Sequence, residues 1–204
     1  MPMLFWDVDT QIDFLSPGGR LYFAGSERIA PNLRRLTAWA GEQHVLVIST
    51  ACAHRPGDPE LEIYGEHCMA GTPGQQKLPE TLLPNRFVIP NRPITLPDLR
   101  SFQQVILEKQ AFDFSSNPNC SAMLAQLRPP LDIVVYGVAT DICVAAAARA
   151  LLKLGNTVSL VHDAVAELDA QKAGEFLREF VSDGGRLVSA SDVIGRPAEH
   201  RVVK

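Results

Sequence analysis

A three-layer α/β domain with a mostly parallel sheet is the fold this chain predicts, and three observations lead to it. Short apolar runs rich in Val and Ile recur along the chain, and helical patterns lie between several of them. Its 204 residues, 46% of them apolar, suffice for one sizeable core and require no second domain, so a single domain over 1–204 is expected. Apolar runs bounded by polar turns read as buried strands, and their alternation with helices argues for a sheet covered on both faces.

The strand-like runs, in order, are Leu4 to Val8, His44 to Ser49, Arg86 to Ile89, Gln104 to Leu107, Asp132 to Tyr136, Thr157 to Val161 and a weaker one at Arg186 to Ser189. Between the first two, Ile29, Leu33, Leu36 and Ala40 repeat at helical spacing within Ser26 to Gln43. Ser26 is a candidate cap there, and Pro31 is tolerated only near the start. Further helices are expected at Asn119 to Leu127, Asp141 to Leu154 and Ala170 to Asp183, with Gly155-Asn156 and Gly184-Gly185 as stop signals. The long connection from Ala51 to Pro84 breaks the alternation. It holds Pro, Gly, His, Cys and acids with little helical period, and such connections in compact domains are often functional. Pro84 to Pro97 is proline-rich and expected to be extended. The sequence has no internal repeat, low-complexity tract or linker.

A net charge of -4 without a long Lys/Arg run disfavours nucleic acid and anionic membranes as partners, leaving small neutral or polar molecules. No apolar run is long enough to span a bilayer, and Met1 to Asp7 lacks the basic start of a signal peptide. Cys52, Cys68, Cys120 and Cys143 are too few and scattered for a disulfide framework and include no C-x-x-C pair, so a reducing cytoplasm is expected.

In parallel sheets, ligands gather beyond the carboxyl ends of the strands. That rule selects Asp9, Thr50 to His54, Lys109, Cys143 and His162-Asp163. The run Asp132 to Tyr136 stops at Gly137-Val138-Ala139-Thr140-Asp141-Ile142 and delivers Cys143 into the first turn of a helix. Backbone N–H groups at a helix start lower a thiol's pKa and can bind a developing oxyanion. Alone, Cys143 reads better as corner packing, Asp9 as a turn or cap residue, and Lys109 as a solvated strand end. Together they are harder to dismiss. An ammonium beside a carboxylate and a thiol stabilises a thiolate, and the carboxylate can relay its proton to a leaving amine.

Asp9-Thr10-Gln11-Ile12-Asp13-Phe14, Glu108-Lys109, Gly137 to Cys143 and His67-Cys68-Met69-Ala70-Gly71-Thr72-Pro73-Gly74 together resemble the isochorismatase-like cysteine hydrolases, nearest to their nicotinamidase-type branch. The resemblance implies a six-stranded parallel sheet, with Cys143 as nucleophile, Asp9 as general base and then acid, and Lys109 as the group that stabilises the thiolate. It also implies a cis peptide between Val138 and Ala139, with the N–H groups of Ala139 and Cys143 as oxyanion donors. Phe14 and Tyr64 would flank a flat substrate; ordinary core aromatics are the alternative. The activity implied is hydrolysis of a small, planar carboxamide to acid and ammonia through a thioester, with no nucleotide cofactor. Oligomers are common in the family, and apolar loop residues such as Leu61 and Ile63 would permit a homo-oligomer.

The same family holds a divalent ion through an Asp-x-His pair, a further ligand and the His of the later His-Cys motif. Here the matching residues are Cys52-Ala53-His54, Glu60 and His67, with Cys52 standing where the family has Asp. One thiolate, two imidazoles and a carboxylate form a sensible zinc set. Asp58 and Glu62 compete for the third position, and a solvated loop without metal is the alternative. Two further readings stay open: the same triad acting on another amide, ureido or ester compound, and a catalytically silent small-molecule or metal-binding domain. A redox role for Cys52 and Cys68 would need their sulfurs close together.

Overall fold

A computed structural model describes residues 1–195. Seven strands form one sheet: β1 (Met3–Val8), β2 (Val47–Cys52), β3 (Arg86–Ile89), β4 (Gln104–Lys109), β5 (Asp132–Val138), β6 (Thr157–Ala166) and β7 (Arg186–Val188). Their order is β3-β4-β2-β1-β5-β6-β7, and every neighbouring pair is parallel. The expected sheet of six is corrected to seven. The seventh is the weak run at Arg186, which adds three residues beside β6 and so extends one edge.

Alternation along each strand divides the core into two layers. Leu4, Trp6, Ile48, Val105, Leu107, Val135 and Leu160 face one way, against Met123, Leu151, Phe176 and Phe180 of the helices Cys120–Leu127, Ala145–Lys153 and Ala170–Ser182. Phe5, Val47, Val134 and Val161 face the other, against Leu33, Leu36 and Ala40 of the helix Ala30–Glu42 and Val193 of the helix Ala190–Ile194.

Local differences from the sequence reading have physical causes. The first long helix begins at Ala30 rather than Ser26: a 3-10 turn over Ser26–Ile29 precedes it, and the Ser26 hydroxyl donates to the Phe14 carbonyl instead of capping. β2 starts at Val47 because His44 adopts a left-handed φ of 56°, and it runs on through Cys52. β6 continues past Val161 to Ala166 after a register shift opposite Val135 and Gly137. His162 is therefore an exposed mid-strand residue, and Asp163 accepts from Asn32 and from the N–H of Ala190. Neither joins the site that the strand-end rule assigned them.

Gly137 pairs with Val8 at a φ of 117°, and a Cβ there would collide with the Val8 carbonyl. Glycine lets β5 close on β1 just before the chain turns. The turn itself, Thr140–Val144, is one wide π-type turn leading into the helix Ala145–Lys153, and the Val138–Ala139 peptide is cis. Such turns cluster at functional sites.

Candidate active site

Asp9, Lys109 and Cys143 arrive from the ends of three strands. β4 and β1 flank β2, and β5 lies on the far side of β1, so the carboxyl ends of β4, β1 and β5 open on one edge. Asp9 leaves β1 with a left-handed φ of 49° and is fully buried. Its Oδ2 lies 2.9 Å from Lys109 Nζ, and its Oδ1 accepts from Thr50 Oγ1 at 2.7 Å. Lys109 Nζ also reaches Cys143 Sγ at 3.4 Å and Cys52 Sγ at 3.2 Å. One ammonium thus touches a carboxylate and two sulfurs, with 1% of the lysine exposed.

Burial opposes the charge on Lys109, but Asp9, followed by the Cys143 and Cys52 sulfurs, outweighs it and holds the ammonium well above its usual range. For Cys143 the balance goes the other way. Burial pushes the thiol well up, against the pull of Lys109. The lowered thiol pKa expected from a helix start is corrected here: loss of water, with the Asp9 carboxylate, outweighs the Lys109 ammonium. Cys52 is raised likewise by burial and by the Asp9 carboxylate.

Beside this triad, Cys52, His54 and Glu60 bring ligand atoms within 4.8 Å of one another. His54 Nε2 and His67 Nε2 face the same Glu60 oxygen at 3.6 and 3.5 Å. Each ring is oriented from behind, His54 Nδ1 by Asp58 at 3.2 Å and His67 Nδ1 by the Gly65 carbonyl at 2.9 Å. This leaves both Nε2 atoms and Glu60 Oε2 buried without hydrogen-bond partners. Buried polar atoms carry that cost only where something completes them, so the residues fit a cation. Burial raises the Glu60 carboxyl, and the two histidines overcome this and hold it down at about 2. Of the competing acids, Asp58 orients His54 and Glu62 is exposed.

The long connection supplies more than ligands. Residues 76–78 run antiparallel along Thr10 to Ile12, with the Ile12 N–H donating to Gln76 and the Leu78 N–H to Thr10. Gln11 grips Cys52 from both sides: its Nε2 donates to the Cys52 carbonyl at 2.8 Å, and its Oε1 accepts the Cys52 N–H at 2.8 Å. Asp13 accepts the Cys68 N–H at 2.6 Å and so fixes the turn after His67. Gln11 and Asp13 lie inside the first motif quoted above but carried no assigned role. Cys52 and Cys68 are free thiols, as are the other two cysteines.

A small, partly open cavity lies beside the turn that carries Cys143. Ala139 and Ile142 come from the turn that carries Cys143, Glu60 from the ligand cluster, and Phe14 and Tyr64 also line it. Leu21, Phe23, Phe112 and Leu168 complete the wall. Those four come from separate connections, and no local pattern marked them.

The chain matches the isochorismatase domain over residues 4–192. It is 25% identical over 206 residues to a nicotinamidase of Acinetobacter baylyi, an alignment covering 92% of each protein. The pyrazinamidase of Pyrococcus horikoshii, whose structure is a complex with zinc, superposes with a TM-score of 0.73 at 25% identity, covering 93% of this chain and 99% of that one. N-carbamoylsarcosine amidase of Thermoplasma acidophilum superposes with a TM-score of 0.72 at 24% identity, over 93% and 97%, which shows the shared fold.

Proposed function

This chain belongs to the isochorismatase family, and from that premise we propose that it is a cysteine amidohydrolase, cleaving a small planar carboxamide to acid and ammonia through a thioester on Cys143. The observation that carries the reading is one buried ammonium bridging Asp9 and Cys143, whose own turn lends Ala139 and Ile142 to the wall of a mostly apolar cavity. The relatives' names, nicotinamidase and pyrazinamidase, agree with an aromatic amide.

Because burial disfavours a standing thiolate, the proton leaves Cys143 as the sulfur attacks. Asp9 takes it, and Lys109 compensates the negative charge throughout. The sulfur bonds to the carbonyl carbon, and the oxygen gains charge facing the N–H groups of Ala139 and Cys143. Asp9 then returns the proton to the nitrogen, the C–N bond breaks and ammonia departs. Water attacks the thioester with Asp9 again accepting its proton, the acid leaves, and the proton returns to the sulfur. Cys52, His54, Glu60 and His67 would hold a divalent ion, with zinc suited to the thiolate, and when bound it would supply a Lewis-acidic contact that orients substrate.

Cys143→Ala should abolish ammonia release from nicotinamide or pyrazinamide, or whichever amide in a panel is turned over fastest. Undiminished release by that variant, with the fold intact by circular dichroism, would exclude the thioester route.

A further inference from the structure

The sheet row just below the edge that carries Asp9, Lys109 and Cys143 is apolar except at one place. Ile89, Leu107, Thr50, Val8 and Gly137 stand side by side across β3, β4, β2, β1 and β5. Ile89, Leu107 and Val8 belong to one core layer. In-register neighbours point to the same face, so packing alone would place Val or Ile at position 50. Thr50 instead brings a hydroxyl into that layer, with 1% of the residue exposed. A buried hydroxyl is costly unless it is hydrogen-bonded, and its partner here is the Asp9 carboxylate at 2.7 Å.

Asp9 is held by Thr50 twice. The Asp9 N–H donates to the Thr50 carbonyl at 3.2 Å, and the Thr50 hydroxyl donates to Asp9 Oδ1. The other oxygen, Oδ2, faces Lys109 Nζ at 2.9 Å and Cys52 Sγ at 3.8 Å. Rotation about χ2 of an aspartate is soft, so without the Thr50 bond either oxygen could turn towards the lysine. With it, the two oxygens have distinct places. The bond also survives protonation of Oδ2, because a carbonyl oxygen accepts from a hydroxyl as a carboxylate oxygen does.

We propose that Thr50 is the positioning residue of the base: it locks the Asp9 carboxylate so that Oδ2 receives the Cys143 proton as the C–S bond forms, and passes it to the leaving nitrogen. Oδ1 accepts from Thr50 throughout, and Lys109 stays protonated. The inference rests on the reading of Asp9 as the base of a cysteine amidohydrolase.

Thr50→Val keeps the branched shape and removes the donor, whereas Thr50→Ser keeps the donor. Alkylation of Cys143 by iodoacetamide, followed by mass spectrometry of the Cys143 peptide, reads the loss of the thiol proton without any amide substrate. Thr50→Val should slow it about ten-fold or more, the scale of a lost charge-assisted hydrogen bond, and Thr50→Ser should stay within about three-fold of wild type. On the amide turned over fastest, Thr50→Val should lower kcat by a similar factor with KM within about two-fold, as expected when an interaction of the transition state is lost. Alkylation of Thr50→Val at the wild-type rate, or Thr50→Ser as slow as Thr50→Val, would overturn the inference. If the wild-type protein releases ammonia from no amide, the amidohydrolase reading fails, and the alkylation rates still decide whether Thr50 positions Asp9.

Discussion

Lys109 is the residue on which the site turns, because a buried ammonium within 2.9 Å of a carboxylate and 3.4 Å of a thiol must stabilise one anion or the other as the proton moves. Removing it leaves Asp9 as an uncompensated buried charge. Lys109→Met should cost about 3–5 kcal/mol in urea unfolding, while Asp9→Asn combined with Lys109→Met should cost clearly less. Equal stability of the single variant and wild type would show that the pair contributes nothing. Cys52 is the second decisive residue, since its sulfur lies both on the Lys109 ammonium and in the ligand cluster. With cobalt(II) as spectroscopic stand-in, the wild-type protein should show a near-ultraviolet thiolate-to-metal charge-transfer band. Cys52→Asp should lose that band while still binding cobalt; a band of undiminished strength would remove Cys52 from the ligand set.

Among elements, the strap over residues 76–78 holds the turn that carries Asp9. Its Lys77 ammonium is buried 2.8 Å from Asp7 on β1 and donates to Thr10 Oγ1 at 2.6 Å. Ser49 and Thr10 complete the shell around Asp7, each donating at 2.9 Å, and Gln104 donates in turn to Ser49. The network ties the long connection to β1, β2 and β4 beneath the edge that carries Asp9, Lys109 and Cys143. Lys77→Met should lower unfolding stability by about 3–5 kcal/mol, and adding Asp7→Asn should recover much of it. A loss within about 0.5 kcal/mol, typical of surface substitutions, would mean the strap is held by its backbone bonds alone.

At the scale of the whole molecule, a cation held by Cys52 at the end of β2 and by His54, Glu60 and His67 would tie the long connection to the sheet. Ligand binding to the folded state adds about 2.7 kcal/mol at a concentration one hundred times the dissociation constant. For a domain of this size that corresponds to roughly 5–10 °C in Tm. Chelation should therefore lower the melting temperature by that amount and zinc should restore it; identical melting curves with and without chelator would show that the cluster holds no ion.

Periodicity and strand-end position made much of this site legible. Seven apolar runs correspond to seven strands, and Asp9, Lys109 and Cys143 were singled out because parallel strands deliver their carboxyl ends to one edge. The same rule failed for His162, where β6 runs on to Ala166 and the supposed strand end is mid-strand. It understated Cys52 as well. Sequence placed that residue among metal ligands, whereas pairing of β2 with β4 sets Cys52 directly beside Lys109. The cavity wall was the least legible, since Leu21, Phe23, Phe112 and Leu168 come from different connections. The sequence by itself determined which elements form and which reactive groups end them, because hydrophobic period and turn chemistry are local. Only the tertiary structure decided which sulfur shares the ammonium, which nitrogens lack partners and which side chains line the cavity, because register and loop convergence depend on contacts between residues far apart in the chain.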